Sequence, residues 1–448
     1  MERKKTVSVT ESLCPICMRE IDAQIYTRDN KAYMEKYCPE HGFFETIIWK
    51  GKIPIQKWVR EKERAYIKNP STAMNKGCPF DCGLCIEHRQ HTCTALIEVT
   101  KRCNLYCAYC FANSYAQKGE DPSLDRIKFQ YESVMKVSGK CNIQLSGGEP
   151  TIRDDLPEII RLGTDLGFTF IQVNTNGIRL GEDESYVKEL KAAGLSSIYL
   201  QFDGTKNSIY RKLRGKELLE IKRAAVENCK KYGIAIILVP TLVPGVNTDN
   251  IGEIIDFALE HTPAVRGVHF QPVSYFGRVP GIPSDEDRIT LPEVMEEIEI
   301  QTGGRIKTGS FKPPGCENAL CSFHGSYLLD DGKNLVSTTK RSCCCSNEKA
   351  EEGAVRAKEY VSRNWSYPKE HIMGDKQVSE RMSDWDRILY HIHKNTFSIS
   401  AMAFQDIWNL DLERLRDCCI HVVSPDGRLI PFCIYNITDF EGRYLYRR

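Results

Sequence analysis

Residues 103–110 are Cys-Asn-Leu-Tyr-Cys-Ala-Tyr-Cys and directly follow an apolar run over residues 95–99. The thiolates of Cys103, Cys107 and Cys110 share one tight loop, where they can hold three irons of a cubane iron-sulfur cluster. The fourth iron is then open, which suits a cluster that binds a substrate, because electron-transfer clusters are normally closed by four cysteines. Zinc is the competing interpretation, but a loop without a nearby fourth ligand gives poor tetrahedral geometry.

The same loop begins a series of apolar runs that alternate with helical patterns, which indicates βα units and a parallel sheet. Strands are predicted over residues 95–99, 142–145, 169–173, 197–202, 235–239 and 267–272. Helices are predicted over residues 124–137, 155–166, 185–193, 217–232 and 250–259. Six such units favour an α/β fold with an open, partial barrel over a closed eight-stranded one. Catalytic groups are then expected at the carboxyl ends of the strands.

The cysteine loop resembles the signature of radical S-adenosylmethionine (SAM) enzymes, which share a partial (β/α)6 barrel. In that superfamily, SAM chelates the open iron through its amino and carboxylate groups, and electron transfer cleaves it to a 5′-deoxyadenosyl radical. The resemblance implies that Cys103, Cys107 and Cys110 hold the catalytic [4Fe-4S] cluster.

Glycine and polar residues follow the next predicted strands, as the same resemblance requires. Residues 146–150, Ser-Gly-Gly-Glu-Pro, resemble the glycine-rich motif in which the methionyl amino group approaches the backbone and Glu149 offsets its charge. Residues 174–177 and 201–204 lie where the superfamily binds ribose and carboxylate, although helix caps and turns are a competing interpretation. The implied SAM-binding residues are Tyr109, Gly147, Gly148, Glu149, Asn174, Asn176, Gln201 and Asp203.

The chain has twenty cysteines in 448 residues, which makes metal binding the favoured use of thiols in a reducing compartment. A ribbon that holds one tetrahedral zinc or iron ion is predicted from the spacing of Cys14, Cys17, Cys38 and His41. A closed auxiliary cluster is predicted from Cys78, Cys82, Cys85 and Cys93, with a second open cluster as the alternative. A second auxiliary cluster is predicted from Cys316, Cys321, Cys418 and Cys433, with one of Cys343, Cys344 and Cys345 as an alternative ligand.

The order of these parts resembles the family described both as class D radical SAM methyltransferases and as tetraether lipid synthases. The resemblance extends from the ribbon through residues 77–93 and the radical loop to residues 421–433, His-Val-Val-Ser-Pro-Asp-Gly-Arg-Leu-Ile-Pro-Phe-Cys. Members are associated with methylating a pterin ring from a folate-type one-carbon donor, and with joining lipid chains; both reactions form a carbon-carbon bond. The resemblance also implies a reducing electron donor such as ferredoxin or flavodoxin.

We favour methylation of a pterin-like small molecule, because the sequence has no large apolar run that would indicate a lipid site. Coupling of lipid chains is the alternative within the enzyme class. An iron-sulfur electron carrier or a zinc scaffold is the alternative from another class.

Composition limits the remaining partners and the location of the protein. Lys and Arg number 61 against 60 Asp and Glu, so no net charge attracts nucleic acid. No apolar run approaches the ~20 residues of a membrane span. The charged start of the chain, which lacks an apolar core, predicts a cytoplasmic protein. An amphipathic helix predicted over residues 52–69 leaves peripheral membrane contact open.

Four segments are predicted along the chain. Residues 1–70 form the metal-ribbon module and a linking helix, and residues 71–93 an auxiliary cluster segment. Residues 94–290 form the partial barrel, and residues 291–448 a carboxyl-terminal auxiliary cluster and substrate region.

Overall fold

A computed structural model describes residues 4–116, 119–330, 334–339, 349–368 and 384–447. Its strands are β1 (Lys5–Leu13), β2 (Glu20–Arg28), β3 (Lys31–Cys38), β4 (Gly42–Lys50), β5 (Thr94–Thr100), β6 (Asn142–Gly147), β7 (Ile171–Thr175), β8 (Ser197–Gln201), β9 (Ala235–Val239), β10 (Thr241–Leu242), β11 (Val265–Pro272), β12 (Ser322–Leu329), β13 (Leu335–Ser337), β14 (Thr396–Met402), β15 (Ile420–Val423) and β16 (Leu429–Pro431). Its α-helices are α1 (Ile55–Trp58), α2 (Leu124–Ser138), α3 (Leu156–Asp165), α4 (Ile178–Glu182), α5 (Glu184–Ala192), α6 (Asn207–Arg214), α7 (Leu219–Lys231), α8 (Ile251–Glu260), α9 (Leu291–Gln301), α10 (Ala350–Asn364), α11 (Asp384–Asn395), α12 (Leu412–Arg416) and α13 (Phe432–Asn436). Two short 3-10 helices cover Pro150–Ile152 and Thr308–Ser310.

The amino-terminal strands β1 to β4 form an antiparallel sheet in chain order. Exposed and buried residues alternate at the start of β2, as expected for a strand with one solvated face. The buried face contributes Ala23, Ile25 and Met34 to the core that it shares with the barrel. Lys36 is 3% exposed and donates a hydrogen bond to the carbonyl of Ile407 at 2.6 Å. The ribbon module is therefore joined to the carboxyl-terminal part of the chain.

The central sheet contains the six predicted strands, parallel and in the order β5-β6-β7-β8-β9-β11. The observed bounds lie within two residues of the predicted ones, so the predicted partial α/β barrel is confirmed. Helices cover the outer face. In α2, for example, Ile127, Tyr131 and Val134 lie on one buried stripe, which packs in the same core as the outward residues Ile97 and Val99 of β5.

The carboxyl-terminal residues continue the barrel sheet at both of its edges, a continuity that the sequence pattern did not reveal. Strand β14 pairs parallel to β11, and β15 pairs parallel to β5. Strand β12 then pairs antiparallel to β14, and β16 antiparallel to β15. Eight adjacent parallel strands result, two of them contributed by residues beyond 395.

The helix predicted over residues 52–69 is wrong, because only α1 is helical there. Ile55 and Trp58 are buried, and the Trp58 indole donates to the Ala319 carbonyl at 2.8 Å. Farther along, the Glu63 carbonyl accepts from Ala350 N at 2.9 Å, so tertiary contacts replace the helical hydrogen bonds that the local composition favours. The suggested membrane contact loses its basis, and among the described residues no helix combines the length and apolarity needed to cross a bilayer.

Candidate active site

The barrel contains a cavity of about 1830 Å³ that reaches both ends of the strands. Cys103, Cys107 and Cys110 line it beyond the carboxyl end of β5. Thr94 and Asn142, the first residues of β5 and β6, line the opposite end. Because the seven residues of β5 extend over about 20 Å, the cavity runs the length of the barrel.

The cysteine loop is held by Arg278, which follows β11 and was not predicted. Its guanidinium donates to the Cys107 carbonyl at 2.8 Å and lies 3.7 Å above the Tyr106 ring. The backbones of Arg278 and Cys110 exchange two hydrogen bonds of 2.9 Å. Burial, assisted by the charge of Glu149, raises the pKa of Cys103 to about 12, so a metal ion must displace the thiol proton.

The glycine motif brings the end of β6 against this loop. Gly147 has φ +130°, and a Cβ added there would lie 2.1 Å from the Thr100 carbonyl oxygen. A Cβ at Gly148 would lie 2.0 Å from the Arg102 carbonyl oxygen. Larger side chains would therefore separate the two loops that line this end of the cavity.

Glu149 is held by residues that follow β6 and by residues at the end of β7. Its Oε1 accepts from Thr151 N at 3.1 Å and from Thr175 Oγ1 at 2.6 Å, and its Oε2 accepts from Asn176 N at 2.6 Å. Burial raises the pKa of this carboxyl, which is only 2% exposed. The carboxylate thereby connects the ends of β6 and β7. Glu149 also lines the cavity, and its contact with the SAM amino group stays a prediction.

The two asparagines at the carboxyl end of β7 differ in which side-chain atoms lack a hydrogen-bond partner. The Asn176 amide donates to Asn104 Oδ1 at 2.7 Å and its oxygen accepts from Ile178 N, so this side chain fixes the cysteine loop and begins α4. Asn174 donates weakly to Ser146 Oγ at 3.5 Å. Its buried Oδ1 has no hydrogen-bond partner among the described residues, so it is available to a bound molecule.

Asp203 holds an arginine that the sequence reasoning missed. Both carboxylate oxygens accept from Arg214 at 2.7 Å, and Asp203 is 0% exposed. Arg214 also hydrogen-bonds the Cys107 side chain. When the side-chain amide of Gln201 is rotated so that its oxygen and nitrogen exchange places, the oxygen accepts from the same guanidinium at 3.1 Å. The available signal was an arginine in the last turn of α6, the helix that follows the Asp203 loop.

Three cavity-lining groups remain suited to SAM. Arg214 offers a cation for a carboxylate, and the unpartnered oxygen of Asn174 offers an acceptor for a hydroxyl group. Tyr109 lines the cavity with its ring 6.2 Å from that of Tyr275, and provides a surface for a flat base. These residues would hold SAM beside a cluster bound by the three cysteines.

The structure brings Cys14, Cys17, Cys38 and His41 together, with their ligand atoms all within 4.8 Å of one another. The Cys38 sulfur lies 3.4 Å from His41 Nδ1 and 4.0 Å from the Cys17 sulfur. Ligands about 2.3 Å from a tetrahedral ion are separated by roughly 3.8 Å, so these distances fit one zinc or iron ion.

The structure groups Cys93 with Cys316 and Cys419 instead of with the Cys78 loop. Cys93 directly precedes β5, and Cys419 directly precedes β15. The two strands pair with Thr94 opposite Ile420, which brings the sulfurs of Cys93 and Cys419 to 3.2 Å from each other. Hydrogen bonds from the two neighbouring thiols lower the pKa of Cys93, which favours the thiolate that a metal requires. These three residues also line the barrel cavity and fit an auxiliary iron-sulfur site.

The remaining predicted ligands form two further groups. Cys78 and Cys82 are hydrogen-bonded, and burial, with the charge of Cys78, raises the pKa of Cys85. Burial raises the pKa of Cys418, and the nearby thiols of Cys433 and Cys321 raise it further. The predicted set of Cys316, Cys321, Cys418 and Cys433 is thus divided, because Cys316 joins Cys93 and Cys419. The alternative ligands Cys343, Cys344 and Cys345 lie outside the described residues.

The comparisons with known proteins agree with this arrangement. The sequence matches the Radical SAM superfamily over residues 97–258 and the HMPTM N-terminal zinc ribbon domain over residues 6–50. The chain is a radical SAM enzyme that uses [4Fe-4S] clusters and SAM, and the electron-carrier and zinc-scaffold alternatives are wrong.

A near full-length relative defines the family more closely. The chain is 38% identical to 7,8-dihydro-6-hydroxymethylpterin dimethyltransferase of Methanocaldococcus jannaschii, over 97% of this chain and 94% of that protein. It belongs to this family of class D radical SAM methyltransferases. It is also 34% identical to a probable GTP 3′,8-cyclase of Methanothermobacter marburgensis, over 38% of this chain and 55% of that one. The crystal structure of Streptococcus suis SuiB bound to S-adenosylmethionine matches with TM-score 0.38 and 15% identity, over 48% of each chain.

Proposed function

We propose that this enzyme methylates the ring system of a dihydropterin and thereby forms a carbon-carbon bond. The observation that carries the proposal is the 38% identity to the pterin dimethyltransferase, which extends over 97% of the chain and so includes the ribbon and the carboxyl-terminal residues. In the proposed reaction a carbon-hydrogen bond of the substrate is replaced by a carbon-carbon bond. The new carbon comes from a folate-type donor, whose bond to that carbon breaks as the carbon-carbon bond forms. The substrate hydrogen leaves in 5′-deoxyadenosine, and the reducing electron donor supplies the electrons that bring the transferred carbon to a methyl group.

The cavity wall supports a polar heterocycle over a lipid chain. Gln144 and Gln172 face the cavity from β6 and β7, and the Gln144 amide donates to Gln172 Oε1 at 3.0 Å. A hydrocarbon chain against this wall would leave their remaining amide groups unpaired, at about 1–3 kcal/mol for each. Pterin N–H and C=O groups can pair with them instead.

The residues of the chain bind and orient the reactants. SAM and a reduced cluster would supply the 5′-deoxyadenosyl radical that removes hydrogen from an unactivated carbon. Arg278 fixes the loop that would carry the cluster, through the Cys107 carbonyl. Arg214, held by Asp203, would orient the SAM carboxylate. The barrel wall would exclude water from the reacting carbon.

The test is a comparison of two substrates with anaerobically reconstituted, reduced enzyme and SAM. One is 6-hydroxymethyl-7,8-dihydropterin, supplied with a folate-type one-carbon donor, and the other is an archaeal diether lipid, each deuterated at its reacting carbons. We expect deuterium in 5′-deoxyadenosine and a methylated product from the dihydropterin alone. Deuterium transfer from the lipid, with none from the dihydropterin, would overturn the proposal.

The cellular setting follows from the same chemistry. We propose a reducing electron donor of the ferredoxin or flavodoxin type, because the radical step requires one electron for each cleavage of SAM. We also propose a cytoplasmic location, supported by the many described cysteines that are free and buried, including Cys93, Cys316 and Cys419. We also propose that the chain is divided into four segments, with boundaries after residues 70, 93 and 290.

A further inference from the structure

Three aromatic side chains form a continuous surface inside the barrel, which we call the aromatic floor. Tyr199 extends from β8, His269 from β11, and Trp365 follows α10. The Tyr199 ring lies 5.5 Å from His269 and 5.8 Å from Trp365, and the last two are 6.0 Å apart. All three line the cavity that also contains the cysteine loop.

One ring nitrogen each of Trp365 and His269 is turned toward β14, and the Tyr199 hydroxyl hydrogen-bonds Gln271 of β11, so the ring faces remain available to a ligand. Trp365 Nε1 donates to Ser398 Oγ at 3.2 Å. His269 Nδ1 lies 2.8 Å from Ser400 Oγ. Burial lowers the pKa of His269 to about 3, so the imidazole is neutral at working pH and acts as an uncharged flat surface.

A buried arginine fixes the position of Trp365. Arg266 is 0% exposed, and its guanidinium donates to the carbonyls of Asn364, His393 and Lys394 at distances of 3.1, 2.6 and 2.9 Å. These carbonyls lie at the carboxyl ends of α10 and α11, where the helices leave their last carbonyls unpaired. The floor is therefore anchored in advance instead of being assembled around a ligand.

Amide groups stand beside the floor. The Gln144 side chain donates to Gln172, which in turn donates to Ser197 Oγ at 3.2 Å, and Ser197 precedes Tyr199 by two residues on β8. An amide side chain has capacity for about four hydrogen bonds. Within the described part of the chain Gln144 makes one, so this wall can still pair with the edge of a ligand.

We propose that the aromatic floor and the Gln144–Gln172 wall form the site that holds the flat ring of the substrate, which stacks on Tyr199 and pairs with the amides. This inference rests on the proposed function and deepens it by assigning the residues that select the ring. A flat nitrogen heterocycle satisfies both halves of the site, since stacking requires an extended π-face and the amides require edge donors and acceptors. The candidate SAM residues lie at or beyond the carboxyl ends of the strands, so both molecules can be bound together.

The test measures the Kd of 6-hydroxymethyl-7,8-dihydropterin by anaerobic equilibrium dialysis, with reconstituted holoenzyme in saturating SAM. Tyr199→Leu removes the π-face, and loss of stacking should raise the Kd about tenfold or more. Tyr199→Phe keeps the ring and should stay within about threefold of the wild type. Trp385→Phe is the matched aromatic control, because Trp385 is 74% exposed on α11 and outside the floor; its Kd should not change. If Tyr199→Leu fails to bind iron, Gln172→Leu takes its place and should also raise the Kd about fivefold or more.

The outcomes separate the two proposals. If the wild type binds and methylates the dihydropterin while Tyr199→Leu, or its substitute Gln172→Leu, has the wild-type Kd, the assignment of the ring site is overturned and the proposed function stands. An equal loss in Tyr199→Leu and Tyr199→Phe also contradicts stacking, because the second variant retains the ring. If the wild type neither binds nor methylates the dihydropterin, the proposed function fails, and the ring site fails with it.

Discussion

Replacing Asp203 by asparagine tests the buried ion pair at the proposed SAM site. The carboxylate accepts from Arg214 Nε and Nη2 at 2.7 Å, and the two side chains are 0% and 5% exposed. In Asp203→Asn the guanidinium remains buried and charged with only a neutral partner. Breaking a buried pair costs about 3–5 kcal/mol, so we expect the free energy of unfolding to fall by an amount in that range. The same change frees Arg214 from its fixed orientation and should raise the Kd of SAM about tenfold, which corresponds to about 1.4 kcal/mol.

Urea unfolding followed by circular dichroism and equilibrium dialysis with SAM measure the two effects. Glu217→Gln is the matched control, because the Arg211–Glu217 pair has both side chains 58% exposed and exposed pairs contribute little. We expect its urea midpoint and its Kd to equal those of the wild type. The reasoning is refuted if Asp203→Asn has the same urea midpoint and the same Kd as Glu217→Gln.

Three other predictions address the histidine, the auxiliary site and the ribbon. Burial holds the pKa of His269 at about 3, below its ordinary value near 6.5. Between these two pH values the unfolded chain binds a proton at His269 and the folded chain does not, so the free energy of unfolding must fall as the pH falls. Between pH 7 and pH 5 we therefore expect the free energy of unfolding of the wild type to fall by about 2 kcal/mol more than that of His269→Gln. An equal shift of the urea midpoint in both proteins between the two pH values would contradict this. Cys93→Ala and the double variant Cys93→Ala/Cys316→Ala should each bind about four fewer iron atoms than the wild type, the content of one cubane. A larger loss of iron in the double variant than in Cys93→Ala would show that the two cysteines belong to two sites. Cys17→Ser should lose one equivalent of the ribbon metal by elemental analysis while the cubane iron is retained, and an unchanged metal count would exclude a ribbon ion at this position.

The local sequence pattern was sufficient for the barrel but not for the metal sites at its far end. Each predicted strand is an apolar run between turn residues, so β9, for example, occupies the predicted residues 235–239. The grouping of Cys93 with Cys419 depends instead on the pairing of β15 with β5, which joins residues more than 300 positions apart. No spacing in the sequence indicates that register.

The candidate SAM site shows the same limit at the level of side chains. The motifs placed Glu149, Asn176 and Asp203 correctly at the carboxyl ends of the strands. Their orientation was decided by neighbours that the motifs do not contain, such as Thr175 for Glu149 and Arg214 for Asp203. The helix prediction for residues 52–69 was wrong for a related reason, since buried contacts of Trp58 prevail over local helix propensity.

The most direct test of the central claim is cleavage of SAM by the reconstituted, reduced enzyme and by Cys107→Ala, with 5′-deoxyadenosine measured by chromatography. Cys229→Ala is the control, because Cys229 is a buried cysteine of α7 that lies outside the proposed metal sites. We expect 5′-deoxyadenosine from the wild type and from Cys229→Ala, and none from Cys107→Ala. Equal formation of 5′-deoxyadenosine by Cys107→Ala and the wild type would contradict the assignment of the cysteine loop as the site of the radical reaction.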